Sequence, residues 1–318
     1  NTGVFQALYD KISTNDGGQL FDIVTGTSSG AMNAAIIVSN AIEKGWNHAM
    51  NQLNDFWDYV STDPYIQDIP GFSTWWTNLH NVNSNAASEE AARRYYSTKQ
   101  FLFTGVPNIF TSPTWRPDNK FFDETIPWPV YDNQPLKDSL EKYANFPIAT
   151  SFDSNQPRLL LTSVDVQEGA TVTFDSYVKE DGIRKSEYGD TDGQYRYVIN
   201  YDKGITSDFA IASGSVAINY DYAKIQTSTI DNSNDNIIQT VERCFWDGGI
   251  LNNTPLRELI QSHQDYWLNV KGKGKDNSHI PDLDVYIVDL WPAKEIQRPI
   301  ERTIRYQYYK DRSYREFK

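Results

Sequence analysis

The chain has 318 residues, with 29 Lys and Arg against 42 Asp and Glu, and its net charge of −13 excludes a general nucleic-acid binder, which needs a basic face. One cysteine, Cys244, excludes an intrachain disulfide framework and a Cys-based zinc cluster, and His48, His80, His263 and His279 show no metal-ligand spacing, so no metal or organic cofactor is expected. Aromatic residues make up 14% of the chain and no apolar run approaches the ~20 residues of a membrane span, so a cytoplasmic protein with an unusual aromatic load is expected.

In chain order, Val4, Leu8 and Ile12 fall on one helical face, and a turn-forming Asn-Asp-Gly-Gly follows at 15–18. Residues 21–25 read as a short strand ending at Gly26, and the Ala-rich run 29–43 reads as a helix. Residues 46–132 are irregular and carry Trp46, Trp57, Trp75, Trp76, Trp115 and Trp128; a cap-like helical and loop insertion over one side of a sheet is expected. A helix at 135–143 follows, then a strand at 158–166 whose Leu159, Leu160 and Leu161 imply burial on both faces, and a strand at 171–174. The hydrophilic stretches 179–194 and 226–236 read as exposed loops, with a short helix at 207–217 between them. Last come a strand at 241–246, a sharp turn at Asp247-Gly-Gly249, a helix at 255–262 and a buried strand at 283–290. Strands alternating with helices predict a layered α/β fold with a mostly parallel central sheet, in a single domain over 1–318.

Gly26-Thr27-Ser28-Ser29-Gly30 fits G-x-S-x-G between the expected strand and helix, the setting of a nucleophile elbow. Gly26 and Gly30 let the backbone turn tightly, so that Ser28 Oγ stands clear of the sheet edge at the positive end of the helix. A serine nucleophile needs a base. None of the four histidines stands at a Gly-punctuated strand end, whereas Asp247, in Cys244-Phe-Trp-Asp-Gly-Gly249, does.

These two motifs in this order, with the small-residue stretch Ala210-Ile-Ala-Ser-Gly-Ser-Val-Ala217 between them, resemble the patatin-like phospholipases. In that family the nucleophile lies in G-x-S-x-G and the base is the Asp of an Asp-Gly-Gly or Asp-Gly-Ala motif, a dyad without His. The resemblance runs over most of the chain. It implies the three-layer patatin-like α/β fold, Ser28 as nucleophile, Asp247 as base, and hydrolysis of phospholipid or another acyl-ester lipid. The aromatic insertion is expected to build a core or line a lipid cleft, with transient contact at a membrane surface through Trp75 and Trp76 as the alternative. Desolvation beside Phe245 and Trp246 would raise the pKa of Asp247 and strengthen it as a base, while Gly248 and Gly249 leave room for Ser28 to approach. Ser29, at the helix start, is expected on the oxyanion side with its N–H as a donor, and Ser213 and Ser215 are expected to pack near the site without reacting.

One departure stands out. The family's oxyanion loop, G-G-G-x-[RK]-G, is matched here only by Gly3 at its last glycine, with Thr2 in place of Arg or Lys. The expectation is that the loop and its strand precede Asn1. A protein without them would be a poor enzyme, so a non-catalytic lipid-binding protein of the same fold is the reading of another class. Among hydrolases, a short-chain carboxylesterase or acyl-thioesterase is the nearest alternative, because the dyad is indifferent to the leaving group. The Asp and Asn cluster at 231–236 lacks the order of a calcium loop, and the basic tail 294–318 reads as a solvated segment.

Overall fold

A computed structural model describes residues 2–12, 19–61, 94–95, 98, 105–106, 108–111, 131–190, 192–217, 220–271 and 280–288. Thr2 and residues 4–281 group as one unit, and Gly3 groups apart from it with the residues from Asp282 on. The elements are α1 (Thr2–Ile12), β1 (Ile23–Thr27), α2 (Ser29–Lys44), α3 (Trp46–Val60), β2 (Gly105–Val106), β3 (Phe110–Thr111) and α4 (Gln134–Tyr143). They continue with β4 (Arg158–Asp165), β5 (Ala170–Asp175), β6 (Lys185–Gly189), β7 (Tyr195–Asn200), α5 (Ser207–Gly214), β8 (Ala223–Asp231), β9 (Ile237–Asp247) and α6 (Leu256–Asp265).

The Ala-rich run after Gly30 makes the central helix. Every residue of α2 from Ala31 to Asn40 is buried, which suits small and aliphatic side chains on all faces. Its two buried asparagines are satisfied: Trp57 Nε1 donates to Asn33 Oδ1 at 2.8 Å, and Asn40 Nδ2 donates to the Ile36 and Tyr143 carbonyls. Helix α3 turns Ala49, Met50, Leu53, Phe56 and Val60 inward and packs on α2. The first residues of the aromatic segment 46–132 are therefore a core helix; Trp75, Trp76, Trp115 and Trp128 lie outside the described residues.

The fold is α/β, a central sheet flanked by helices, as expected. Its strand order is β1-β4-β9-β8-β7-β6, with β5 also on β4. Only β1 and β4 run parallel; every other ladder among the described residues is antiparallel, so the expected mostly parallel sheet is confined to this pair. The physical reason lies in the two hydrophilic stretches read as loops. Both contain strands, β6 and much of β8, joined to their neighbours by tight turns that enforce antiparallel pairing. In β8, Ile225, Thr227 and Thr229 are buried while Lys224 and Gln226 face outward, and a strand with one wetted face carries too little apolar signal to stand out.

The expected buried strand at 283–290 is also corrected. Its described residues, 283–288, join no strand ladder, and Val285, Tyr286, Ile287 and Val288 are exposed. Val-Tyr-Ile-Val has strand propensity, but a strand is completed by the ladder it joins.

The arrangement around β4 decides where the site lies. Every residue of β4 is buried. Strand β5 occupies one of its edges along 160–165. Strand β1, paired with 158–162, and β9, paired with 163–165, must therefore share the other edge. One runs parallel to β4 and the other antiparallel, so their C-terminal ends meet head to head where Thr27 stands opposite Thr162 and Asp247 opposite Ser163. A fork of Arg243 onto Asp165, at 2.6 and 3.1 Å, locks the β9 register, and Arg158 on Asp175 does the same between β4 and β5.

Candidate active site

Strand β1 ends at Thr27 and α2 begins at Ser29, so Ser28 alone makes the turn. It does so with φ 58° and ψ −127°, a left-handed conformation that a side-chain-bearing residue rarely adopts and that marks a strained position. The turn closes so tightly that a Cβ on Gly26 would lie 2.1 Å from the Gly30 carbonyl oxygen. The Ser28 carbonyl starts the helix, accepting from the Ala31 and Met32 N–H groups at 2.9 and 3.3 Å. The N–H groups of Ser29 and Gly30 lie in the first turn of α2, where a helix has no carbonyl of its own to offer them.

Asp247 is the last residue of β9 and is 5% exposed. Its N–H donates to the Ser215 carbonyl at 2.8 Å, and its Oδ1 accepts the Gly249 N–H at 2.7 Å. The Ser28 hydroxyl lies near enough to this carboxylate to favour its charged form. Burial holds the Asp247 carboxyl above the usual carboxylate range, while the nearby Ser28 hydroxyl and the hydrogen bond from the Gly249 N–H pull partly the other way. A Cβ on Gly248 would lie 2.4 Å from the Thr162 carbonyl oxygen, so only glycine lets β9 end this close to β4.

The sequence model of a family described as patatin-like phospholipase matches residues 2–260, which include both motifs. This chain belongs to the patatin-like phospholipase family. Membership brings lipid acyl hydrolase chemistry with it. No curated protein matches the chain.

In this patatin-like chain the fold brings together Ser28, Asp247, Gly26, Ser29, Gly248 and Gly249. Gly30 plays a different part from the one expected: the crowding falls on Gly26, whereas a Cβ on Gly30 would meet nothing within 4 Å. Gly3 lies in helix α1. Strand alternation puts the fully buried Phe245 on the same face as Asp247 and turns Trp246 to the other, where its indole stacks on Tyr222 with centroids 4.8 Å apart.

Of the described histidines, His263 is buried with Nε2 2.9 Å from the Pro281 carbonyl oxygen and His48 lies on α3; His80 and His279 are outside the described residues. No group of three His, Cys, Asp or Glu side chains among the described residues could hold a metal ion. The Asp231 cluster is a hairpin turn, in which Asp231 Oδ1 accepts from the Ser233 N–H and hydroxyl. No described helix is long and apolar enough to cross a membrane.

What the motifs did not reveal is the contact made by Ser213. Its Oγ accepts the Ser28 N–H at 3.1 Å and donates to the Thr162 carbonyl at 2.5 Å. The one signal for it was the run of small residues at 210–217.

Proposed function

We propose that this patatin-like phospholipase cleaves carboxylic ester bonds of phospholipids or lysophospholipids through an acyl-enzyme on Ser28, with Asp247 as general base. The observation that carries this reading is the meeting of the β1 and β9 ends on one edge of β4, which sets the strained Ser28 beside the buried carboxylate of Asp247. As Ser28 Oγ attacks the ester carbonyl, Asp247 takes its proton. The charge that develops on the carbonyl oxygen falls beside the Ser29 N–H and the positive end of α2. Collapse of the tetrahedral species breaks the ester C–O bond, and the proton held by Asp247 passes to the departing alcohol or lysophospholipid. A water that then loses its proton to Asp247 attacks the acyl-enzyme, frees the fatty acid and returns Ser28 to its starting state.

A lipid surface as the place of action is supported by the residues around the dyad. Ile250 and Leu251, in the turn after Asp247, are about half exposed, as are Val216 and Tyr222 to a lesser degree. That turn is tied to the elbow, since Thr27 Oγ1 donates to the Asn252 carbonyl at 3.2 Å. Exposed apolar side chains at the rim of a lipid hydrolase fit insertion among acyl chains and headgroups.

The test compares release of fatty acid from phosphatidylcholine vesicles with hydrolysis of soluble p-nitrophenyl butyrate. Phospholipid cleavage is expected. Cleavage of butyrate alone would favour the short-chain esterase, and cleavage of neither would favour the lipid-binding protein. Leu251→Asp should lower the vesicle rate by about tenfold, through loss of roughly one leucine's worth of apolar burial, and leave the soluble ester rate within about twofold.

A further inference from the structure

The C-terminal end of α5 touches both members of the dyad, and we propose that Ser213 and Ser215 form a two-armed positioning element that holds Ser28 and Asp247 in register. The proposal rests on the Ser28–Asp247 reading above and adds residues that act through those two.

The first arm serves the nucleophile. Strand β1 has ended when the chain reaches Ser28, so the Ser28 N–H has no ladder carbonyl, and the strained φ and ψ need something to maintain them. Ser213 Oγ accepts that N–H and donates its own hydrogen bond to the Thr162 carbonyl on β4. Only a hydroxyl can accept and donate at once in so small a space, and Ser213 is fully buried.

The second arm serves the base. The Ser215 carbonyl accepts the Asp247 N–H at the point where β9 leaves the sheet. Ser215 is fixed in turn, its Oγ donating to the Ile211 carbonyl at 2.9 Å and accepting from Asn133 Nδ2 at 3.2 Å. Gly214, between the two serines, faces α2, where a Cβ would lie 2.4 Å from the terminal methyl of Met32. The Ala212 carbonyl also accepts from Ser163 Oγ on β4. One helix end is thus bonded to the β4 edge, to the elbow after β1 and to the end of β9, the three pieces of backbone whose relative placement sets the Ser–Asp contact.

The test uses the full chain with Ser213→Ala, Ser213→Cys and Ser213→Thr, and Ser176→Ala as a control. Ser176 is another fully buried serine whose hydroxyl accepts a backbone N–H, that of Leu159, but it lies away from the dyad. The readouts are kcat and KM on a soluble ester, the rate of fluorophosphonate labelling at Ser28, and Tm. Leaving the Ser28 N–H without its acceptor should lower kcat and the labelling rate by about 10–100-fold in the Ala and Cys variants. KM should stay within about twofold, and Thr, which keeps the hydroxyl, should stay within about threefold of the parent rate.

Ser176→Ala should lower Tm without changing kcat. The Cys variant preserves size if the Ala variant does not fold. A folded Cys variant with parental kcat and labelling rate overturns the proposal, as does an equal loss of kcat in Ser176→Ala. Failure of the parent protein to label at Ser28 would refute the dyad itself, a result distinct from either.

Discussion

Asp247→Asn should lower turnover by about 10²–10⁴-fold, the usual contribution of a positioned general base, and leave the fold intact. The amide is nearly the same shape as the carboxylate, its Oδ1 can still accept the Gly249 N–H, and its Nδ2 can still meet Ser28 Oγ. What it cannot do is take a proton. The same burial has a second, opposite effect on stability. Because burial raises the folded-state pKa of Asp247 above its unfolded value of ~3.9, the folded state holds a proton that the unfolded state has released. This contribution to stability is therefore present below the unfolded pKa and is lost as pH rises through the folded one. At neutral pH the native protein carries a buried carboxylate at a cost, and the neutral Asn escapes it. Thermal unfolding at pH 7 should give Asp247→Asn a Tm equal to or above the parent, with the gap closing in acid. In the proposed mechanism only the ionised form can act as base, so the parent's kcat/KM should rise with pH through a value above the ordinary carboxylate range.

Gly26→Ala is expected to be nearly as damaging by a purely steric route. The new Cβ would stand 2.1 Å from the Gly30 oxygen and 2.2 Å from the Gly30 carbonyl carbon, both backbone atoms of the first turn of α2. No side-chain rotation relieves that contact, so either β1 or α2 must move, and Ser28 is the one residue between them. Overpacking of this kind costs about 1–3 kcal/mol or more. The displaced nucleophile should lose at least about 100-fold in turnover, as a misplacement near 1 Å does elsewhere. Gly30→Ala is the contrasting variant. Its Cβ meets open space inside a helix, where alanine is favoured over glycine by ~1 kcal/mol, so its Tm should hold or rise. Circular dichroism melts of the two variants, with ester turnover of Gly26→Ala, separate the two glycines of one motif.

The parts of the fold that announced themselves are those whose residues obey a local rule. Ala31, Ala34, Ala35 and Val38 could only be a buried helix, and Leu159 to Leu161 only a strand covered on both faces. The elbow and the Asp-Gly-Gly turn were legible because each needs glycine for a stated contact. Strands β6 and β8 escaped notice because Lys224, Gln226 and Glu187 wet one of their faces, and their strand character comes from neighbours far along the chain. The segment Val285 to Val288 failed for the mirror reason: it has the composition of a strand but joins no ladder among the described residues.

In the site, Ser28 and Asp247 could be named from their motifs, but their meeting depends on β1 and β9 sharing one edge of β4, a matter of topology that no local pattern encodes. Ser213 was visible only as one small residue among several. Its role appears once the Ser28 N–H is asked where it finds an acceptor.

The proposed chemistry stands on Ser28 as nucleophile, activated by Asp247 without a histidine. The most direct measurement is reaction of the full chain with a fluorophosphonate, followed by peptide mass spectrometry to locate the adduct. One adduct is expected, on Ser28, absent from Ser28→Ala and slowed strongly in Asp247→Asn. An adduct on another residue, or none in an otherwise folded protein, would contradict it.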